Sequence, residues 1–186
     1  MYSTTRIIGW KEWFNLECLG LPAIKGKIDT GAKTSALHAF NIETFFVNDA
    51  EYVKFDIHPL QKNLELERSC IAKIIDRRLV SDSGGKKEER IVIESEVCIC
   101  DTKIKIEITL VNRDSMAFRM LLGRDAIKQF GLLVDPSQAF LQGKQKKVQV
   151  RKLYKKIKAA FDPRETNRET NREMNKEQTR HQQQAQ

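Results

Sequence analysis

Residues 25–35, Lys25-Gly26-Lys27-Ile28-Asp29-Thr30-Gly31-Ala32-Lys33-Thr34-Ser35, decide how this chain is read. Alternation of charged and small or apolar residues up to Ile28 is the pattern of a strand with two unlike faces. The strand then runs into an acid, a small hydroxyl residue and a glycine. That order suits a tight turn that presents a carboxylate to a partner carboxylate. The Thr30 hydroxyl is placed to bond an opposing loop, and Gly31 lets two backbones approach closely. Two carboxylates a few ångströms apart cannot both ionise and share one proton. One then activates water while the other protonates the carbonyl oxygen and later the leaving amine. The same triplet also occurs in ordinary β-turns, so it needs support from elsewhere in the chain.

Support comes from residues 116–131, MAFRMLLGRDAIKQFG. An apolar run enters Leu122-Gly123-Arg124-Asp125 and opens a short amphipathic helix, read from Arg124 to Gln129 with Gly131 as its C-cap. This pair of elements resembles retroviral proteases and their cellular relatives. Those proteins have an apolar strand, Asp-Thr-Gly-Ala, and later an apolar-apolar-Gly-Arg-Asp/Asn-apolar turn whose strand passes behind the catalytic loop. The likeness extends through GWKEWFNLECLGLPAIKGKIDTGAKTSALHA at 9–39, PLQ at 59–61, IDRRLV at 75–80, SGGKKEERIVI at 83–93 and NRDSMAFRMLLGRDAI at 112–127. These stretches are similar to the retropepsin-like, RimB-like proteins that carry the label ATP-dependent zinc protease and are often associated with the RimK glutamate ligase. The resemblance covers about residues 8–143, with Lys33 where many relatives have Arg.

The resemblance implies an all-β, closed retropepsin-like barrel with one short helix. It implies Asp29, Thr30 and Gly31 as the catalytic triplet, with Ala32 beside it in contact with substrate. The implied activity is that of an aspartic endopeptidase that trims acidic or poly-glutamate tails, a small-subunit ribosomal protein being the substrate suggested by the relatives. The alternative is a non-catalytic module of the same fold that holds acidic chains. A second triplet, Asp82-Ser83-Gly84, follows Ser81 rather than an apolar residue and lies 53 residues beyond Asp29, too near for a second lobe. It reads as the tip of a hairpin that closes over substrate. One usable aspartate per chain then requires a twofold homodimer. Arg77, Arg78 and Arg90 flank that hairpin, and arginine is suited to bidentate carboxylate contacts, so they are the candidates for binding an acidic peptide. Arg113, Arg119 and Arg124 precede or open the helix, and Arg124 resembles a buttress of the retropepsin dimer.

The rest of the body agrees with an all-β domain. Segments 7–16, 23–28, 52–57, 69–75, 90–100 and 104–111 are short and rich in Val, Ile, Phe and Thr, with turn residues between them. Residues 1–143 hold 20 Lys/Arg and 20 Asp/Glu, whereas 144–186 hold 13 and 5 and supply the whole net charge of +8. The expected organisation is therefore a neutral domain over 1–143 and a basic tail over 144–186, disordered or a solvated helix. Any contact with nucleic acid is expected through that tail alone. No secretory signal or membrane span is evident, and Cys18, Cys70, Cys98 and Cys100 form no disulfide framework, so a cytoplasmic protein is expected. No HExxH helix or Gly-Lys-Ser/Thr phosphate loop occurs, so neither metal nor cofactor is expected. His38, His58 and His181 are scattered, with His38 read as a loop anchor near the triplet.

Overall fold

The computed structural model describes residues 6–61, 63–81, 85, 87–112 and 117–156. The strands are β1 (Arg6–Gly9), β2 (Lys11–Leu16), β3 (Leu21–Asp29), β4 (Ser35–His38), β5 (Phe40–Val47), β6 (Ala50–Ile57), β7 (Arg68–Ser81), β8 (Lys87–Ile99), β9 (Thr102–Val111), β10 (Met120–Gly123) and β11 (Leu132–Asp135). Helix α1 (Arg124–Phe130) precedes β11, and α2 (Lys147–Lys156) follows it.

Strands β2-β3-β10-β4-β9-β8 lie side by side, and Asn15 of β2 pairs with Cys98 of β8 to close them into a ring. From β8 the sheet continues outward through β7, β6 and β5. The ring interior is filled by alternate residues: Phe14 and Leu16 of β2, Ile24 and Ile28 of β3, Ile93 and Val97 of β8, Ile106 and Ile108 of β9. Each such side chain contributes about 1.5–3 kcal/mol on burial. Two hairpins turn on adjacent positive-φ pairs, Asn48 with Asp49 (48° and 60°) and Cys100 with Asp101 (54° and 58°). That is the geometry a two-residue turn needs to match strand twist.

The segment expected as one strand over 7–16 divides at Trp10. β1 leaves the ring and pairs in parallel with β11, Ile8 opposite Val134. Glu12 secures the corner from a fully buried position. Its carboxylate accepts the backbone N–H groups of Gly9 at 2.7 Å, Leu141 at 2.9 Å and Gln142 at 3.3 Å. A buried carboxylate persists only with such donors.

The described residues form two α-helices where one was expected, and packing does not stop at Gly143. Val150 and Tyr154, one helical turn apart on α2, are fully buried. The Tyr154 hydroxyl donates to the Ala23 carbonyl at 2.8 Å, and the Arg68 guanidinium lies over its ring and donates to its carbonyl. The boundary drawn at 143 is thus too early: residues 147–156 belong with the body because their one apolar stripe covers β3. The expected tail beyond 156 and the triplet Asp82-Ser83-Gly84 lie outside the described residues. Among the described residues no helix is long and apolar enough to cross a membrane. Truncation after Gly143 is expected to lower the melting temperature markedly, and Tyr154→Ala to cost about 3–5 kcal/mol. Val148→Ala, on the exposed side of α2, is expected to change stability by no more than about 0.5 kcal/mol. Urea unfolding of the three variants checks this.

Candidate active site

Asp29 ends β3, and its position follows from the strand beside it. β10 lies between β3 and β4, parallel to the first and antiparallel to the second, with Gly123 opposite Asp29 and Leu121 opposite Ala36. The loop from Asp29 to Thr34 must therefore cross the end of β10. A Cβ on Gly123 would stand 2.5 Å from the Thr34 carbonyl carbon and 2.7 Å from the Ser35 nitrogen, so only glycine fits beneath the crossing. The Gly123 N–H donates to Ser35 Oγ at 3.1 Å, and Thr109 Oγ1 donates to the Ser35 carbonyl at 3.1 Å.

The helix that begins at once after Gly123 clamps the loop from below. The Arg124 N–H donates to the Ala32 carbonyl at 2.8 Å and the Asp125 N–H to the Lys33 carbonyl at 3.1 Å. Arg124 Nη1 donates to the carbonyls of Thr30 at 3.1 Å and Gly31 at 3.3 Å. Lys33 pairs with Asp125 at 3.5 Å on the surface. Within the loop, Asp29 Oδ1 accepts from Gly31 N–H at 3.2 Å and Ala32 N–H at 3.3 Å. Among the described residues nothing donates to Oδ2. Thr30 and Gly31 are exposed. The result is a fixed carboxylate at the surface with one oxygen held by backbone and the other open, a group suited to moving a proton between water and a carbonyl once a second carboxylate faces it.

The three arginines expected to read substrate are brought to one hairpin but not to one face. Arg78 stands directly opposite Arg90, whereas Arg77 stands opposite Ile91 and points the other way. Each has a carboxylate of its own chain. Arg77 pairs with Glu51, Arg78 with Asp76 and Glu107 at 2.7 Å each, and Arg90 with Glu88 at 3.2 Å. Arg113 and His181 lie outside the described residues. His38 is buried at the far end of β4 from Asp29, where its N–H donates to the Arg119 carbonyl at 2.9 Å. Among the described residues no three His, Cys, Asp or Glu side chains gather around a point. Burial pushes the Cys100 thiol up to about 11 and raises that of Cys98. Ser35 and Thr109 hold the loop from behind; Ser35 had no signal in the sequence beyond its nearness to the triplet, and Thr109, 80 residues beyond Asp29, had none.

A family model described as retropepsin-like aspartic endopeptidase RimB matches residues 7–145. The chain belongs to this RimB-like family. It is 45% identical over 148 residues to a probable alpha-L-glutamate ligase of Shewanella halifaxensis, covering 80% of this chain and 32% of that protein. A probable alpha-L-glutamate ligase of Desulfotalea psychrophila is 42% identical over 151 residues, covering 81% and 32%. The chain thus spans about a third of the length of these relatives. A crystal structure of a Legionella pneumophila protein of unknown function is 27% identical, with a TM-score of 0.64 over 75% of this chain and 99% of that one.

In this RimB-like chain, Gly123→Ala is expected to cost about 1–3 kcal/mol through overpacking against the loop backbone. Amide hydrogen exchange is expected to accelerate at Gly31 and Ala32 while β5 and β6 keep their protection. Uniform acceleration, or none, would mean that the glycine does not support the loop.

Proposed function

We propose that the chain is an aspartic peptidase that acts as a homodimer and cleaves acidic, glutamate-rich peptide tails in the cytoplasm. The observation that carries this is the Asp29 loop, held by Gly123, Ser35 and Arg124 with one carboxylate oxygen open. Two such loops related by a twofold axis bring Asp29 of each protomer together. One carboxylate removes a proton from water as the oxygen attacks the peptide carbonyl. The other, protonated, bonds the carbonyl oxygen, and the tetrahedral intermediate collapses as the amine leaves with a proton. The β7–β8 hairpin is the element that closes over the chain being cut.

A second reading has its own support. The curated relatives are named as ligases that handle glutamate, and this chain corresponds to only a third of them. A module that holds a glutamate chain without cutting it fits that company. Asp29→Asn separates the two. Under the peptidase reading, purified Asp29→Asn retains the wild-type melting temperature and loses all detectable cleavage of a glutamate-rich peptide. Wild-type specific activity is expected to fall as the protein is diluted below its dimer dissociation constant. Unchanged turnover in Asp29→Asn would remove the aspartic mechanism. A wild-type protein that binds but never cuts such peptides would favour the holding module.

A further inference from the structure

A cavity of about 520 Å³ opens beside the ends of β4 and β9, walled by His38, Phe40, Asn41, His58, Asn112 and Arg119. That volume is in the range of sites that enclose small ligands. Leu64, 71% exposed, stands on its rim. Strand register relates the cavity to Asp29. Paired residues share a sheet face, as do residues two apart on one strand. Asp29 pairs with Gly123, Leu121 with Ala36, and His38 with Val111. Asp29, Leu121, Ala36 and His38 therefore share one face. Arg119 continues that row two residues before Leu121, its carbonyl held by the His38 N–H. From Arg119 to Gly123 the chain advances by about 13 Å, so the cavity and the Asp29 loop lie along one side of the sheet.

Arg119 differs from the arginines of the hairpin. It is only 8% exposed, and its Nε has no hydrogen-bond partner among the described residues. No described carboxylate pairs with it, whereas Arg77, Arg78 and Arg90 each have one. A buried cation is costly unless an anion and hydrogen bonds accompany it. The walls indicate what kind of anion fits. Phe40 stacks on His58 with centroids 4.6 Å apart and planes 19° from parallel, a flat surface for methylene groups. Glu67 holds His58 at 3.6 Å, and Asn41 is fixed by its Nδ2 bond to Asp56 at 3.0 Å.

We propose that this cavity is a specificity pocket for the side-chain carboxylate of a glutamate in the bound chain, with Arg119 as the specificity-determining residue. A guanidinium fork matches a carboxylate, and its depth favours an acid on a two-carbon stem over the shorter stem of aspartate. The pocket's place in a reaction rests on the peptidase reading of Asp29. Its binding chemistry does not.

The test uses full-length Asp29→Asn protein, which binds without turnover, and dye-labelled hexa-glutamate, hexa-aspartate and hexa-glutamine read by fluorescence anisotropy. Hexa-glutamate is expected to bind tightest of the three. Adding Arg119→Met is expected to weaken it at least tenfold, as for loss of a charge-assisted contact, with hexa-glutamine unchanged. Where Arg119→Met loses the thermal transition, the exposed rim decides: Leu64→Glu weakens hexa-glutamate about two- to fivefold and Leu64→Lys strengthens it. Free L-glutamate at the peptide's own concentration is expected not to displace it. Hexa-glutamate affinity within twofold of the parent in folded Arg119→Met, or in Leu64→Glu if that variant must decide, overturns the pocket. Equal binding of hexa-glutamate and hexa-aspartate, or displacement by the free amino acid, overturns the glutamate-chain assignment. Arg119-dependent binding in a wild-type protein that never cleaves leaves the pocket standing and removes only the peptidase reading.

Discussion

The structure turns on the close passage of β10 beneath the Asp29 loop, with Gly123 under the Thr34–Ser35 peptide. A strand inserted between β3 and β4 forces the connecting loop to arch over it, and the arch carries the triplet. Because no side chain separates the two backbones, Gly123 can donate to Ser35 Oγ while the next two amides reach the Ala32 and Lys33 carbonyls. Exposed loops are ordinarily the mobile part of a domain. This one is tied by backbone and by Arg124, so its carboxylate is held in place before any ligand arrives, which is what catalysis by positioning requires.

Much of this was legible in the sequence, for physical reasons that also explain what was not. Half-buried strands such as β2, with its Glu12, Phe14 and Leu16 inward, declare themselves by alternation. β4 and β10 do not: Ser35–His38 is buried throughout, so no period marks it, and Met120–Gly123 is four residues long. Only the likeness to retropepsins gave β10 its place behind the loop. α2 was hidden because a helix in basic sequence needs just Val150 and Tyr154 to attach, too few to raise a periodic signal. Nothing in the sequence marks Glu12 as a buried carboxylate. Two of its three donors, Leu141 and Gln142, are 129 and 130 residues away, and no local rule reaches them.

The arginines show the same limit in electrostatic form. Sequence proximity placed Arg77, Arg78 and Arg90 around the hairpin correctly, but it could not show that folding brings Glu51 and Glu107 to Arg77 and Arg78. Exposed pairs of this kind contribute little stability. Their effect is on availability: a guanidinium already bridged by Asp76 and Glu107 must give up a bond before it can accept a ligand carboxylate. Arg77 and Arg78 are therefore better suited to tying β7 to β6 and β9 than to reading substrate.

An acidic chain poses a particular problem for a carboxylate-based site. On the proposed mechanism the paired Asp29 groups carry one net negative charge, and a glutamate-rich peptide is repelled as it approaches. Surface lysines relieve this poorly, because water and salt screen them within about 8–10 Å. A cation withdrawn from solvent is screened far less. On that proposal Arg119, buried on the same sheet face at about 13 Å along the strand direction, would attract the chain without promoting loss of the proton the pair shares. Separation matters as much as charge: an arginine in contact with Asp29 would favour ionisation of both carboxylates and remove the acid that the mechanism needs. A distant, buried guanidinium and a near, backbone-held carboxylate are thus compatible requirements, and one sheet supplies both.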